Sequence, residues 1–220
     1  MRAYLRDAEE ITRRSFEVAR RETDLSAIPD DLTDIALRLV HATAMPELVR
    51  DLRFSPGAGT AGQAALLAGA PIVADCKMVA DGIRAGLVAG RNEIICALDG
   101  PGTAAYARER GTTRAAAGIA LARIDGGVIA IGNAPTALFA LLDEIEDGAG
   151  KPALILGFPV GFIGAAESKQ ALAEADIGVP FITLAGRFGG SALAAAAVNA
   201  LLIAIPAPVT VRAEAAAGAP

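Results

Sequence analysis

The chain has 220 residues, 53% of them hydrophobic and only 4% aromatic, with no Trp and a formal net charge of −5. That length supports one domain with a sizeable core. The acidic balance argues against a nucleic-acid binder, which carries a basic surplus, and leaves room for a local arginine pocket facing an anionic small ligand.

No charge-free run of about twenty apolar residues occurs, so no membrane span is expected. The first ten residues lack the apolar core of a signal peptide. Cys76 and Cys96 have no CxxC spacing. They suggest neither a metal site nor a disulfide framework, and a reducing cytoplasm is the expected compartment. The apolar excess is Ala, Leu, Ile and Val, which suits helices packed closely on a parallel sheet.

A first helix is predicted over about 7–23, with Arg13, Arg14, Arg20 and Arg21 on a solvated face. A second begins at Pro29-Asp30, where Asp30 is a capping residue. In it Leu32, Ile35, Ala36, Leu39, Val40 and Thr43 recur at helical spacing and face the core. Asp34, Arg38 and His41 follow an i, i+4, i+7 line along a more polar stripe, which places His41 at the border of core and solvent. His41 is the only histidine in the chain. Residues 51–57 read as a short strand ended by Pro56-Gly57.

From there a strand, turn and helix recur. Strands are predicted at 71–75, 93–98, 127–131, 152–156 and 180–184, and helices at 77–86, from 112 onward, 135–147, 165–176 and after Ser191. Asn133 reads as an N-cap and Pro135 as a first-turn residue. Apolar strands without polar alternation, separated by helices, predict an open, mostly parallel α/β sheet covered by helices on both faces. One domain over 1–204 is expected, followed by an Ala/Pro/Gly-rich tail over 205–220.

In such a sheet, ligands bind outside the carboxyl ends of the strands. That rule singles out Asp75, Asn133, the loop 157–164 and the loop 186–191. Glycine there permits close backbone approach, and the helix N-termini that follow offer free N–H groups to anions. Gly157, Gly161 and Gly164 are spaced GxxxGxxG rather than GxGxxG, and no GxxxxGK[ST] loop is present, so a nucleotide site is poorly supported. Ser191 lacks the G-x-S-x-G elbow. Both cysteines read as core thiols. Arg114 and Arg187 lie near helix starts, where the helix dipole disfavours a cation. A solvated side chain and an arginine facing an anionic ligand both fit that placement.

Several segments together resemble the precorrin-8X methylmutase family of cobalamin biosynthesis. They are Arg14-Ser15-Phe16, Val40-His41-Ala42-Thr43, Phe54-Ser55-Pro56, Ala70-Pro-Ile-Val-Ala-Asp75 with Met78-Val79, and Thr113-Arg114-Ala-Ala-Ala. The most specific are Ala130-Ile-Gly-Asn-Ala-Pro-Thr-Ala-Leu-Phe139 and Gly157-Phe-Pro-Val-Gly-Phe-Ile-Gly-Ala-Ala-Glu-Ser-Lys169. Gly186-Arg187-Phe188-Gly-Gly-Ser191 and Val198-Asn199 complete a set that keeps the family's order along nearly the whole chain. Phe188 and Cys76-Lys77 depart from residues common among relatives.

The resemblance implies an isomerase that moves a methyl group from C11 to C12 of a corrinoid macrocycle, a [1,5]-sigmatropic shift giving hydrogenobyrinic acid. It implies no cofactor and no methyl donor, because the migrating group is already on the substrate. His41 matches the family's histidine, a proton donor and acceptor of suitable pKa. Ser15 matches a substrate-binding position, where its hydroxyl would meet a carboxylate or amide of the macrocycle. Arg114 and Arg187 are the cationic candidates for the carboxylate rim, and Asn133 and Gly161 the loop candidates. The two N-terminal helices are expected near the active edge of the sheet, and a homodimer with shared active sites is implied. The rival readings are a non-catalytic corrinoid carrier, a mutase for the cobalt-containing substrate and a nucleotide-dependent α/β enzyme.

Overall fold

The apolar runs become the strands of one six-stranded sheet in the computed structural model, which describes residues 2, 4–88 and 91–205. The strands are β1 (Leu52–Phe54), β2 (Ile72–Ala74), β3 (Ile94–Cys96), β4 (Val128–Ile131), β5 (Leu154–Gly157) and β6 (Phe181–Leu184). Their order is β1-β6-β5-β4-β2-β3. The five strands from β2 to β6 pair in parallel, with Val73 opposite Ile129 and Ile155 opposite Phe181. Only β1 runs antiparallel, Leu52 facing Leu184. The tail expected over 205–220 falls, from residue 206 onward, outside the described residues.

Successive strand residues feed opposite faces, as the period of two requires. Ile72, Ala74, Val128, Ala130, Leu154 and Leu156 enter one core, while Val73, Ile129, Ile131 and Ile155 enter the other. Six helices stand on the first face: α1 (Ala8–Glu22), α2 (Asp30–Thr43), α3 (Ala58–Leu67), α4 (Lys77–Gly82), α5 (Ala85–Val88) and α10 (Ser191–Ile203). The second face carries α6 (Thr103–Arg110), α7 (Arg114–Leu121), α8 (Pro135–Glu146) and α9 (Ala165–Glu174).

The centre of the first layer is α10. Eleven of its 13 residues are buried, and its alanines admit neighbours that larger side chains would exclude. A Cβ on Gly82 would stand 2.7 Å from the Ala195 Cβ, and one on Gly132 only 2.6 Å from the Ser191 Cα. Leu32, Ile35, Ala36 and Leu39 of α2 are buried as expected. Each large aliphatic side chain so buried contributes about 1.5–3 kcal/mol.

Three local expectations need correction. The helix expected over 77–86 ends at Gly82 and restarts as α5 (Ala85–Val88). The buried Asn199 holds this break: its Oδ1 accepts from the Arg84 N–H at 2.9 Å and its Nδ2 donates to the Gly82 carbonyl at 2.9 Å. Asp30 is the first residue of α2 rather than its cap. Pro29 precedes the helix with no side-chain cap, and the neighbouring Asp31 carboxylate instead accepts from the Thr60 N–H in α3. Asn133 is likewise not the cap of α8; that position is Ala134, again without a side-chain bond. The Asp75 carboxylate takes the loop amides instead. It accepts from Gly132 at 3.0 Å, Asn133 at 2.9 Å and Ala134 at 2.9 Å. A side chain from the end of β2 therefore satisfies donors that local sequence assigns to a neighbour.

Asp75 also bears on ligand binding. Strand order reverses between β2 and β4, the place where open α/β sheets commonly open a ligand crevice. Here the fully buried Asp75 satisfies the amides of the β4–α8 loop with the protein's own carboxylate.

Candidate active site

Helix α2 positions His41 in its last turn, and the helix ends at Ala44, whose left-handed φ of 55° turns the chain. The 3₁₀ turn Pro46–Asp51 then leads into β1. Because β1 is antiparallel to β6, this return brings Met45, Leu48 and Asp51 against Leu184, Ala185 and Phe188 at the carboxyl end of β6. Helix α1 packs beside α2. The Asp7 side chain caps it, accepting from the Glu10 N–H at 2.9 Å. The end of α2 thus reaches the carboxyl edge although His41 is on no strand-end loop.

Ser15 of α1 meets His41 directly, its Oγ 2.8 Å from Nδ1. The next residue, Phe16, stacks on the imidazole with centroids 4.6 Å apart and planes 16° from parallel. The Arg38 guanidinium also lies over the Phe16 ring, 4.6 Å from its centroid. Desolvation lowers the His41 pKa below its ordinary value, and the positive charge of Arg38 lowers it further. An imidazolium in this place is a readier proton donor than free histidine. With Nε2 as the atom that gives up and regains the proton, Nδ1 keeps its hydrogen, and the Ser15 hydroxyl accepts from Nδ1–H in the cation and in the neutral ring alike. It can therefore hold one ring orientation through both halves of a proton transfer. Nε2 has no hydrogen bond to any described residue.

His41 and Ser15 line an open cleft of about 460 Å³ with Leu5, Ile11, Val18, Val40, Ala44 and Pro46. The lining is mainly apolar. Arg14 and Glu22 stand at its border, and Arg14 is held by Glu10 at 2.5 Å. Arg13, Arg20 and Arg21 also have acidic neighbours, in Glu10 and Glu17, Asp34 and Glu22. The solvated arginine face expected for α1 is thus a set of exposed ion pairs.

The other sequence candidates gather on the carboxyl-edge loops and do not line the His41 cleft. Arg114 is the first residue of α7, exposed, behind the Thr113 cap. The Thr113 hydroxyl lies 2.8 Å from that of Thr136 in the first turn of α8, which brings the two helix starts together. Asn133 is exposed between β4 and α8. Gly161 adopts φ 153° in the loop after β5, and its N–H donates to the Arg187 carbonyl at 3.3 Å. Arg187 is exposed after β6, with its guanidinium 5.8 Å from the Phe162 centroid. Phe162 and Ile163 are 86% and 90% exposed. These loops therefore join cations, helix N-termini and bare apolar side chains.

Sequence reasoning missed Phe16, Arg38 and Lys169 as contributors. The spacing of Arg38 and His41 on one helix signalled a shared stripe, but Phe16 enters only through the packing of α1 on α2. Lys169 sits in α9 with 1% exposure. Its Nζ donates to the Phe188 carbonyl at 2.5 Å. Burial lowers its pKa to about 8, against the opposing pull of Asp51. Cys76 is buried with Sγ 3.5 Å from the Ser191 Oγ, and Cys96 is half-buried with burial raising its pKa, in keeping with core thiols.

A doubly covered α/β sheet, a histidine oriented on a broad, mainly apolar cleft, and a separate set of arginine-bearing loops define the class of this protein. The family model for precorrin-8X methylmutase matches residues 10–204, and the chain belongs to that family. A precorrin-8X methylmutase of Pseudomonas aeruginosa is 54% identical over 200 residues, covering 90% of this chain and 96% of the relative. One from a Sinorhizobium species is 55% identical over 201 residues, covering 90% and 95%. The solved structure of precorrin-8x methyl mutase from Thermus thermophilus superposes with a TM-score of 0.81 at 39% identity, covering 89% of this chain and 95% of that one.

Proposed function

We propose that this protein is a precorrin-8X methylmutase, moving the methyl group of its substrate from C11 to C12 to give hydrogenobyrinic acid. The observation that carries the reading is the Ser15–His41 pair on an open apolar cleft, in a chain of this family. The migrating carbon leaves one ring atom and joins its neighbour within a single molecule, so no methyl donor enters the balance. His41 delivers a proton to the ring C nitrogen, creating the tautomer in which the shift occurs, and recovers it afterwards. A positioned general acid contributes roughly 10²–10⁴-fold. Ser15 keeps the imidazole oriented, and its place on the cleft wall lets it also meet a carboxylate or amide of the substrate.

Arg114, Arg187, Asn133 and Gly161 receive the carboxylate rim, while Phe162 and Ile163 offer apolar cover. The separation of this rim from the His41 cleft within one chain supports a homodimer in which each site draws on both subunits. Among the described residues no helix is long and apolar enough to cross a membrane, and a cytoplasmic location is the proposed one. The metal-free substrate is favoured because both close bacterial relatives carry the precorrin-8X name.

The test is turnover of purified protein with precorrin-8X and with its cobalt form, followed by the visible spectral change that accompanies extended conjugation. Wild-type protein is expected to convert the metal-free form, and His41→Ala to bind product but lose conversion. Binding without turnover by the wild type would instead indicate a carrier, and His41→Ala turning over at the wild-type rate would remove the acid/base role.

A further inference from the structure

Lys169 is the one lysine the fold buries almost completely, and among the described residues no carboxylate forms an ion pair with it. Removing an ammonium from water without an ion-pair partner is costly. The Nζ is spent on one acceptor, the carbonyl of Phe188. That carbonyl belongs to the loop 186–190, which follows β6 and displays Arg187.

The loop is seated elsewhere by backbone alone. Gly190 N–H donates to the Phe158 carbonyl at 2.7 Å, and Gly161 N–H to the Arg187 carbonyl at 3.3 Å. Gly189 lies so close to this segment that a Cβ there would fall 2.4 Å from the Phe158 oxygen. Phe188 stands between these fixed points, and its carbonyl, next to Arg187 in sequence, is held from beneath by Lys169. The loop is therefore held at the Arg187 carbonyl and at the residues just after it, and the Arg187 guanidinium lies 5.8 Å from the Phe162 centroid.

We infer that Lys169 is a positioning residue for substrate binding: by holding the Phe188 carbonyl it fixes the loop 186–190 so that Arg187 is presented to an anionic group on the rim of the macrocycle. This rests on the reading of Arg187 as a substrate contact.

The experiment compares Lys169→Met, Arg187→Ala and the double variant of the full chain. Steady-state kinetics with precorrin-8X and equilibrium binding of the product are measured well below each variant's Tm. Lys169→Met preserves the length and apolar stem but removes the donor. It is expected to raise KM and product Kd about five- to tenfold with kcat within twofold, and to add little on top of Arg187→Ala, because the two act through one contact. A purely structural lysine would lower Tm without moving KM, and that result overturns the inference. So does a double variant whose KM increase is the product of the two single increases. Should Lys169→Met not fold, Lys169→Gln, whose polar head falls short of the carbonyl, is judged by the same criteria. If Arg187→Ala leaves KM unchanged, the reading of Arg187 fails and the inference with it. If Arg187→Ala raises KM and Lys169→Met does not, the inference alone fails.

Discussion

Replacing Ser15 by Ala removes one oxygen and tests how the acid is held. The His41 ring has two orienting contacts, the hydroxyl 2.8 Å from Nδ1 and the Phe16 stack at 4.6 Å. A hydrogen bond of this kind contributes about 1 kcal/mol net, and an aromatic pair about 0.5–1.5 kcal/mol. Losing the first should lower the population of the productive ring orientation by roughly fivefold, since 1 kcal/mol is about 1.7 RT. Because His41 is exposed, water can take the vacated position, and the loss of fold stability should stay under about 1 kcal/mol. The expected result for Ser15→Ala is thus a roughly fivefold lower kcat with nearly unchanged Tm. Adding Phe16→Leu should deepen the loss to roughly 25-fold, since the second contact contributes about as much. The assay is initial velocity at saturating precorrin-8X, read from the rise of product absorption. A Ser15→Ala enzyme with wild-type kcat across the pH range, alongside an inactive His41→Ala, would refute the argument that the hydroxyl orients the acid.

The lowered pKa of His41 fixes the sign of two pH effects. As a proton donor it should lose kcat/KM as pH rises through a value below the ordinary 6.5, visible in the pH–rate profile of the free enzyme. For stability, the folded pKa lies below the unfolded one, so the contribution is present above about pH 6.5 and lost as pH falls through the folded value. The urea midpoint should therefore decline more steeply for wild type than for His41→Ala between about pH 7 and 5. Asp75→Asn leaves an amide NH₂ facing one of the two groups of loop donors and should cost about 2–4 kcal/mol by denaturant titration. Gly132→Ala forces a Cβ against Ser191, Val79 and Ala194, all within 3 Å, and should cost about 1–3 kcal/mol with a lowered Tm.

Much of the architecture was legible in the order of residues because its causes are local. Strands such as Ile72–Ala74 and Val128–Ile131 are short β-branched runs bounded by turn residues, and two-face burial leaves no polar alternation in them. The buried stripe of α2 follows from side chains spaced three and four apart. Helix α6 was not anticipated, since its Tyr106, Arg108, Glu109 and Arg110 show little amphipathic pattern; it begins after Gly102 in a left-handed conformation and ends at another, Gly111. The capping expectation at Asn133 failed for a related reason. Backbone N–H groups donate to any suitable oxygen, and Asp75 outcompetes the neighbour in sequence by arriving from another strand.

For the site, the sequence by itself determined which groups are available: one histidine able to titrate near neutrality, a serine interrupting an apolar helix face, arginines at helix starts and glycines that open loops to a ligand. It also carried the family assignment. Tertiary structure decided what those groups do to one another. Ser15 and His41 are 26 positions apart and meet only because α1 packs on α2, and the same packing brings Phe16 over the ring and Arg38 over Phe16. The antiparallel return of β1 beside β6 carries the end of α2 to the carboxyl edge. Lys169 reads in sequence as an ordinary helix lysine. Its role at the Phe188 carbonyl exists only where α9, β6 and the following loop converge, because a hydrogen bond depends on distance in space and not along the chain.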